Sequence, residues 1–396
     1  HTVILTGSTG QLGSYLLDTL LNTPTIEHIY CLNRNPNAQS HTHTLTPLPP
    51  SKVHFLTTDL TKPNLGLPAS DLHHLQNTTT LIIHNAWTVN FNLSLPSFIP
   101  NLTGLINLIN FTTTAKHSPS LFYISSMSST IGHTTPTGLT PESIITTTTP
   151  APNAYANSKY LAEHLLAYAA SHSPRFHPAI ARVGQIAGPV RSPGLWSKAE
   201  WFPSLVLSSL HLNALPDALG PTMDRVDWVP IDLLAEILVD LAIPKDTTEA
   251  QGEVKVYHPI NLHPKTWNDI RPVIADALVQ HSPSLTSSGV EGNSLEIIPV
   301  REWVQRIRHD VENATDSTSK LDENELQALL EKNPAAKLLD FFEEVVGMQS
   351  DREKGCGNGN GIVLDTRITA EKSELLRGVE GVKEEWVFKW VGEWLK

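Results

Sequence analysis

Short apolar runs rich in β-branched residues alternate with longer stretches of helical periodicity through the first half of the chain. Strands are predicted for TVILTG (2–7), HIYCLNR (28–34), KVHFLTTDL (52–60), TLIIHNA (80–86), SLFYISS (120–126) and HPAIARVGQ (177–185). Helices are predicted for QLGSYLLDTLLN, NLTGLINLINFTTTA and NAYANSKYLAEHLLAYAAS. This alternation predicts βαβ units, and right-handed crossovers would place helices on both faces of a doubly wound parallel sheet.

The pattern changes beyond about residue 190, where helical periodicity dominates. Examples are TWNDIRPVIADALVQH, REWVQRIRHDVE, DENELQALLEKNPAAKLLDFFEEVV and the closing GVKEEWVFKWVGEWLK. We therefore predict an α/β domain over residues 1–190 and a smaller, mainly helical subdomain over residues 191–396, with some strands returning to the first domain. The Thr- and Pro-rich segments 35–51 and 134–153 are predicted surface loops, and GCGNGNG (355–361) is a predicted flexible linker.

Composition and charge narrow the class of protein. An apolar content of 40% over 396 residues is typical of a globular protein, and no apolar run approaches the roughly 18 residues of a membrane span. The net charge of -12 argues against a general nucleic-acid binder. Cys31 and Cys356 are the two cysteines, and the 18 histidines show no metal-ligand spacing. We therefore predict no disulfide framework and no metal site, and expect a reducing, cytoplasmic compartment.

The first residue is His1 rather than Met, and a strand is predicted from residue 2. We therefore expect the chain to be a domain cut from a longer protein.

A glycine-rich segment, TGSTGQLG, joins the first predicted strand to the first predicted helix, and its glycines have the spacing GxxGxxG. Glycines let the backbone turn tightly and approach a pyrophosphate, which lies at the positive N-terminus of the helix. The segment therefore predicts a dinucleotide site, and the alternative is a glycine-rich turn without a ligand. The residues expected at the cofactor here are Gly7, Thr9, Gly10, Gln11, Leu12 and Gly13.

The end of the second predicted strand bears on the choice between NADH and NADPH. An NAD enzyme usually carries an acidic residue there for the ribose hydroxyl, whereas this chain has Asn33 and Arg34. A guanidinium can hold a 2′-phosphate in a bidentate pair, so NADPH is favoured; the alternative is a solvated Arg. Asp59 and Leu60, after the third strand, are expected beside the adenine, although an Asp at a strand end can equally form a turn.

The motif YANSK supplies Tyr155 and Lys159, which lie one helical turn apart and can reach one pocket. We expect the Lys159 ammonium to lower the pKa of the phenol from its ordinary value near ~10. Such a Tyr can give a proton to a carbonyl oxygen as a hydride reaches its carbon, and the Lys can hold the ribose hydroxyls of the cofactor. Ser126, with Ser125 and Ser128 as alternates, is the strand-end hydroxyl predicted to bind the oxyanion. YxxxK alone occurs by chance, but its order after the glycine loop and the strand-end Ser favours a catalytic group.

In this order, TGSTGQLG, DL, HNAW, ISS, YANSK and RVGQIAGP resemble the extended short-chain dehydrogenase/reductase family over residues 2–189. Three segments narrow the resemblance: HNAWTVNFN, RVGQIAG followed by GLWSKAEWFPSLVLSS, and DRVDWVPID. They are similar to the terminal thioester reductase domains of fungal adenylate-forming reductases related to nonribosomal peptide synthetases, and of some polyketide synthases. The resemblance extends through REWV, NPAAKLLDFFEE and the closing Trp-containing helix, and it implies a Rossmann-type fold for residues 1–190.

The resemblance also implies a substrate and a partner. The substrate would be an acyl group on the phosphopantetheine arm of a carrier (thiolation) domain in the same polypeptide. NADPH-dependent reduction would release it as an aldehyde, and a second round would give an alcohol. Beyond the glycine loop and Arg34, the family positions carried over are Asn85 and Ala86 for the cofactor ribose, and Val183 and Gly184 near the nicotinamide.

Trp87, Gln185, Trp196 and Trp201 are weaker candidates for substrate contact. A Trp in a helical subdomain is more often a core residue, and this alternative is the stronger one for Trp196 and Trp201. Trp87 can equally plug the gap between a strand and a helix, and Gln185 can be a buried structural amide. His84 is expected to be a core histidine with satisfied hydrogen bonds rather than an acid–base group.

Two other functions share these motifs. The first is a free-standing extended reductase or epimerase acting on a small ketone or a nucleotide sugar, and HNAW, GLWSKAEW and the C-terminal features argue against it. The second is a release domain that cyclises its product without redox chemistry. The presence of both Tyr155 and Lys159 argues against that function.

Overall fold

The computed structural model describes residues 1–42, 44, 46–191, 194–244, 253–281, 295–316, 323–353 and 362–396. The chain forms two units. The first comprises His1–Ile186, Ile231–Ile260 and Ile362–Val379, and the second comprises Ala187–Pro230, Asn261–Gly361 and Glu380–Lys396. Residues 231–260 and 362–379 thus belong to the first unit although they follow the predicted boundary at residue 190. Cys356 and the predicted linker 355–361 lie outside the described residues.

The main sheet is formed by seven strands: β1 Thr2–Thr6, β2 His28–Asn33, β3 Val53–Thr57, β4 Leu81–His84, β5 Ser120–Ser126, β6 Pro178–Val183 and β7 Lys255–Tyr257. The longer helices are α1 Gln11–Asn22, α2 Ala69–Thr78, α3 Ile99–Thr114, α4 Ala154–His172, α5 Trp201–Leu212, α6 Ile231–Ala242, α7 Trp267–His281, α8 Val300–Asp316, α9 Glu323–Lys332, α10 Leu339–Glu353 and α11 Glu384–Trp394. Short α-helices cover Gly220–Met223, Arg367–Lys372 and Glu374–Arg377, and 3₁₀ turns cover Ala38–His41, Pro63–Gly66, Leu95–Phe98, Met127–Thr130 and Pro334–Leu338. Further short strands are Leu139–Thr140, Ile186–Ala187, Ala214–Pro216, Arg225–Val226, Val229–Pro230, Lys265–Thr266, Glu296–Ile298 and Val363–Leu364.

The order of strands in the main sheet is β7-β6-β5-β4-β1-β2-β3, and every pairing is parallel. The chain moves outward in one direction from β1 to β3 and in the other from β4 to β7. Sheets of this kind bind ligands at the carboxyl ends of the strands, where the order reverses. The switch point here lies between β1 and β4, which pair with Leu5 opposite Ile83. The predicted doubly wound parallel sheet is confirmed.

Burial on both faces explains why these strands read as continuous apolar runs. One face packs against α3 and α4 through a core that includes Ile82, Leu108, Leu121 and Leu166. The six predicted strands correspond to β1–β6. Helices α2 and α6 and strand β7 were not predicted; α6 packs against α1, and β7 pairs with β6 at the edge of the sheet.

The second unit is built around tryptophan. Its buried core contains six indole rings, those of Trp196, Trp228, Trp267, Trp303, Trp390 and Trp394. Buried indoles need an acceptor for the ring N–H, and the cluster supplies them: Trp267 donates to the Pro216 carbonyl at 2.9 Å and Trp303 to the Ser209 hydroxyl at 3.1 Å. Helix α11 packs against α7. None of the described helices combines the length and apolarity needed to cross a membrane.

Candidate active site

The turn from β1 into the first turn of α1 has two positions at which only glycine fits. Gly7 has φ +72°, and a Cβ there would lie 2.9 Å from the backbone nitrogen of Ala86. A Cβ on Gly13 would lie 1.9 Å from the Gly7 carbonyl oxygen. Helix α1 begins after Gly10 with no side-chain cap and no acidic residue in its first turn, so no side chain there neutralises its positive end. The loop therefore fits a pyrophosphate at the start of α1.

The remaining predicted residues of the loop lie at its surface. Thr9 and Gln11 are exposed, and Leu12 is half-buried. Asn33 ties the end of β2 to the loop through two hydrogen bonds with the Ser8 hydroxyl, of 3.2 and 3.0 Å. Side chains thus hold the glycine loop against the end of β2, where the cofactor ribose is predicted to bind.

Arg34, the next residue, is exposed. It lies near enough to Asp59 for its charge to contribute to a lowered pKa of that carboxyl, although the hydrogen bonds from Thr61 are the larger cause. Asp59 accepts the hydroxyl and the backbone N–H of Thr61 at 2.7 and 3.1 Å, which is the turn-forming alternative considered from the sequence. Leu60 packs against Gly104 of α3. The adenine contact of Asp59 and Leu60 stays a prediction.

The Thr6 hydroxyl organises the end of β4. It accepts the backbone N–H groups of Asn85 and Ala86 at 3.1 and 3.0 Å, so its single proton can be donated to Nδ1 of His84, 2.8 Å away. The Asn85 side chain donates to the Gly7 carbonyl at 3.3 Å. Asn85 and Ala86 therefore lie beside the glycine loop, which is where their predicted role at the cofactor requires them.

Ser126 and Tyr155 are brought together by the end of β5 and the start of α4. The Asn153 side chain caps α4 by accepting the Ala156 N–H at 2.9 Å. Tyr155 is only 8% exposed and is hydrogen-bonded by Ser126. The Ser126 oxygen accepts the backbone N–H and the hydroxyl of Ser128 at 3.2 and 3.0 Å, so its own proton can be donated to the phenol oxygen. The phenol proton of Tyr155 then remains available for another acceptor.

Lys159 lies one turn further along α4, in a buried niche. Its Nζ donates to the Ile124 carbonyl at 2.7 Å and lies 4.6 and 4.7 Å from the ring centroids of Trp87 and Tyr123. The carbonyl and the two ring faces favour the ammonium form. Burial opposes it more strongly and holds the pKa of Lys159 well below its ordinary range, against an opposing influence from Glu163.

The prediction that Lys159 lowers the pKa of Tyr155 was wrong. Burial raises the pKa of Tyr155 to about 12, and the opposing influence is the hydrogen bond from Ser126. The Lys159 ammonium lies 5.9 Å from the centre of the phenol ring and is itself destabilised by burial. Tyr155 is therefore a neutral phenol at neutral pH, which is the protonation state that a proton donor needs.

The neighbouring serines have other partners, and Ser128, one of the two alternates, donates to Ser126 itself. The Ser125 hydroxyl donates to Glu163 at 2.6 Å, and Ser129 donates to the same carboxylate at 2.7 Å. Glu163 in turn pairs with Arg182 at 2.7 Å, with both side chains buried. Among the candidates at the end of β5, Ser126 is thus the one that contacts the tyrosine.

Residues from β6 adjoin this group. Val183 is the Cα partner of Ser126 across the β5–β6 pairing. A Cβ on Gly184 would lie 2.8 Å from Cγ2 of Ile260, so the chain is closely packed there. The Gln185 amide donates to the Ile186 carbonyl at 2.8 Å. The cofactor role of Val183 and Gly184 and the substrate role of Gln185 stay predictions.

The tryptophans proposed for substrate contact differ in position. Trp87 is half-buried; its N–H donates to Ser158 at 3.1 Å and its ring faces Lys159, so it fills the gap between β4 and α4. Trp196 is 1% exposed, and its ring contacts other aromatic rings of the second-unit core, so the structure contradicts a place on a pocket wall. Trp201 is half-buried and packs on Trp228 of that core. Core packing is therefore the better interpretation of both.

Sequence reasoning missed two rings that flank Tyr155. The Phe91 and Phe98 rings lie 5.2 and 6.4 Å from the phenol ring, centroid to centroid. It also missed Glu163, whose only signal was a carboxylate one helical turn after Lys159.

Comparison with known proteins gives a consistent set of similarities. Residues 5–238 match the family model described as male sterility protein, an NAD-binding family. The carboxylic acid reductase of Neurospora crassa is 28% identical over 401 residues, which cover 100% of this chain and 35% of that protein. The chain thus spans about a third of the length of such curated relatives.

Two solved structures show the same fold. The terminal R domain from the myxalamid PKS-NRPS biosynthetic pathway has a TM-score of 0.70 at 21% identity, over 98% of this chain and 89% of that one. A thiolation-reductase di-domain from an archaeal non-ribosomal peptide synthetase has a TM-score of 0.61 at 20% identity, over 90% of this chain and 91% of that one.

Proposed function

Since this chain belongs to the male sterility protein family of NAD-binding domains, we propose that it reduces a carrier-bound acyl thioester to an aldehyde with NADPH. The observation that carries the proposal is the buried group at the end of β5, in which Ser126 orients the neutral phenol of Tyr155 beside Lys159. The similarity to a carboxylic acid reductase and to R domains supports reduction of an acyl group.

The residues of this chain supply the proton and stabilise the developing charge. A nicotinamide cofactor, held by the glycine loop and by Lys159, would supply the hydride. As the thioester carbonyl carbon accepts that hydride, negative charge grows on its oxygen, and the Tyr155 phenol donates its proton there. Ser126 stabilises the phenolate that remains. The resulting hemithioacetal breaks its C–S bond to give the aldehyde and a thiol, and a second reduction would give an alcohol.

Arg34 is the basis for proposing NADPH rather than NADH. It is exposed immediately after β2, and its guanidinium can turn toward a 2′-phosphate without leaving a buried partner. Asp59, the acidic group near it, is engaged in its own turn with Thr61 and therefore does not take the ribose role of the missing strand-end carboxylate.

The partner in this proposal is a phosphopantetheinylated carrier domain. The support is the similarity to a thiolation-reductase di-domain and the length of the curated relatives, of which this chain spans about a third. A thiol-bearing arm would both deliver the acyl group and serve as the leaving group.

The experiment is to follow NADPH oxidation with a panel of aromatic and aliphatic acyl-pantetheine thioesters and to identify the products by mass. We expect aldehyde and free pantetheine, and faster oxidation of NADPH than of NADH. Tyr155→Phe should lower the rate by about 10² to 10⁴-fold, because the proton donor is lost, while NADPH titration shows binding within about twofold of wild type.

Two results would redirect the proposal. Oxidation of NADPH by a free ketone, with none by any thioester, would indicate a free-standing reductase. Product release that Tyr155→Phe leaves undiminished would indicate a domain that releases its product without reduction.

A further inference from the structure

An apolar surface lies on the segment between β4 and α3. Val89, Phe91, Leu95 and Ile99 are 67%, 58%, 39% and 58% exposed. Single exposed apolar residues are ordinary, but a closely spaced set is typical of a binding surface. Leu95 begins the 3₁₀ turn Leu95–Phe98, and Ile99 follows it as the first residue of α3. We call these four residues the β4–α3 apolar surface.

Phe91 connects this surface to the candidate catalytic group. Its ring meets the Tyr155 ring edge to face, with centroids 5.2 Å apart and an interplanar angle of 72°. Phe98 meets the same phenol at 6.4 Å but is fully buried. Of these two rings beside Tyr155, Phe98 thus belongs to the core, and Phe91 has surface exposed to solvent.

We propose that Phe91 is a specificity-determining residue that contacts the acyl chain of the thioester. The inference rests on the proposed reduction at Tyr155. A carbonyl oxygen that takes the Tyr155 proton must come within hydrogen-bond distance of the phenol. The first carbons of the acyl chain are then held next to the rings that surround the phenol, and Phe91 is the one with exposed surface.

The chemistry of the ring favours the acyl chain over the pantetheine arm. Phe91 offers apolar surface and no hydrogen-bonding group, so contact with the amides of the arm would desolvate them without compensation. Contact with an alkyl or aryl group removes apolar area from water on both partners. Val89, two residues away in the chain, is also apolar and exposed. We therefore expect the site to select acyl groups that are apolar and either of medium length or aromatic.

The test compares Phe91→Ala with wild type on acetyl-, octanoyl- and benzoyl-pantetheine. We expect kcat/KM to fall about 10-fold for octanoyl and benzoyl, and less than about twofold for acetyl, because the single methyl group of acetyl covers little of the ring. Phe91→Leu, which keeps an apolar side chain, should restore most of the octanoyl rate. Tyr168→Ala removes an equally exposed aromatic ring, 66% exposed, from the later part of α4 and is the matched control.

The outcomes separate this inference from the function on which it rests. An equal loss on all three thioesters would place Phe91 against the arm or the cofactor and overturn the inference, while leaving the reductase proposal intact. Unchanged kcat/KM in Phe91→Ala would also overturn it. A wild-type protein that reduces none of the three thioesters would overturn the reductase proposal and this inference with it.

Discussion

Neighbouring serine hydroxyls at the end of β5 have different partners. Ser126 faces the Tyr155 phenol, Ser125 donates to the buried Glu163 carboxylate, and Ser128 donates to Ser126. A strand alternates its side chains between two faces, so adjacent residues reach different surroundings. The Ser126 hydroxyl therefore belongs to the candidate catalytic group, and the Ser125 hydroxyl belongs to the buried core.

This difference predicts opposite consequences for two single-atom changes. Ser126→Ala should lower kcat by about 10² to 10³-fold, because a donor to the developing charge is removed. Ser125→Ala should leave kcat within a few-fold but lower the free energy of unfolding by about 2 kcal/mol, because a hydrogen bond to a buried charge is lost. Steady-state kinetics and urea unfolding of both variants test this. Equal effects on kcat would show that the two hydroxyls are not distinguished.

Spacing located the residues of this group, but it did not determine their protonation. The i, i+4 spacing predicts that Tyr155 and Lys159 reach one pocket, and the structure places the Lys159 Nζ 5.9 Å from the centre of the Tyr155 ring. The raised pKa of the phenol and the lowered pKa of the ammonium come from burial. Burial depends on Trp87, Tyr123 and the rest of the core, which are distant in sequence, so no local pattern carries it.

Helix α4 presents three polar side chains at successive turns: Tyr155, Lys159 and Glu163. The last of these pairs with Arg182 on β6, and Arg182 also donates to the Pro141 and Ser143 carbonyls at 3.2 and 3.0 Å. The pair thus fixes α4 against the sheet and against the chain segment before it. The position of Tyr155 relative to the end of β5 therefore depends on the Glu163–Arg182 pair.

Removing the charge of one partner of the Glu163–Arg182 pair should therefore destabilise the fold strongly. Glu163→Gln leaves the Arg182 guanidinium buried without a counter-charge, and we expect the free energy of unfolding to fall by about 3 kcal/mol or more. Glu302→Gln is the matched control, because Glu302 pairs with Arg306 in an exposed i, i+4 arrangement; about 0.5 kcal/mol or less is expected there. Urea unfolding monitored by circular dichroism measures both. A loss of similar size in the two variants would contradict this role for Glu163.

At the scale of elements, prediction succeeded where a pattern is local. The strands β1–β6 and helices α1, α3 and α4 follow from periodicity and from turn residues at their ends. Strand β7 has only the three residues Lys255–Tyr257, and its place depends on pairing with β6 rather than on its own sequence. Helix α6 was not predicted although its pattern is local: Asp232, Glu236 and Asp240 recur every fourth residue between buried apolar residues, and the helix packs on α1.

At the scale of the whole molecule, the first unit is assembled from three separate stretches of chain. His258, just after β7, shows how closely they are joined: its Nδ1 lies 2.5 Å from the Asp365 carbonyl, and its Nε2 lies 3.2 Å from Arg182. Glu142 accepts the backbone N–H groups of Ile368 and Thr369 at the start of a short helix. Contacts between such distant stretches are set by tertiary packing, which explains why a single boundary was the natural prediction from composition.

Two buried histidines make the stability of this unit depend on pH. Burial, with a contribution from the Lys159 charge, lowers the pKa of His84 to about 3, and burial with the Arg182 charge lowers the pKa of His258 to about 4. Each is near ~6.5 in an unfolded chain. Between pH 6.5 and these values the unfolded state binds protons that the folded state does not, so stability falls as the pH decreases.

The expected slope is about 1.4 kcal/mol per pH unit for each histidine below pH 6.5. His84→Asn keeps a side-chain acceptor for the Thr6 hydroxyl but removes the titrating ring. The pH dependence of the free energy of unfolding between pH 6 and pH 4 should therefore decrease by the contribution of one histidine. The smaller side chain also lowers the free energy of unfolding, by an amount that does not change with pH. Urea unfolding at a series of pH values measures the slopes. The curves of the variant and the wild type should run parallel above pH 7, where neither histidine is charged in either state. Equal slopes below pH 6 would show that the His84 ring takes up its proton in the folded protein as readily as in the unfolded chain, and that its burial does not keep it neutral.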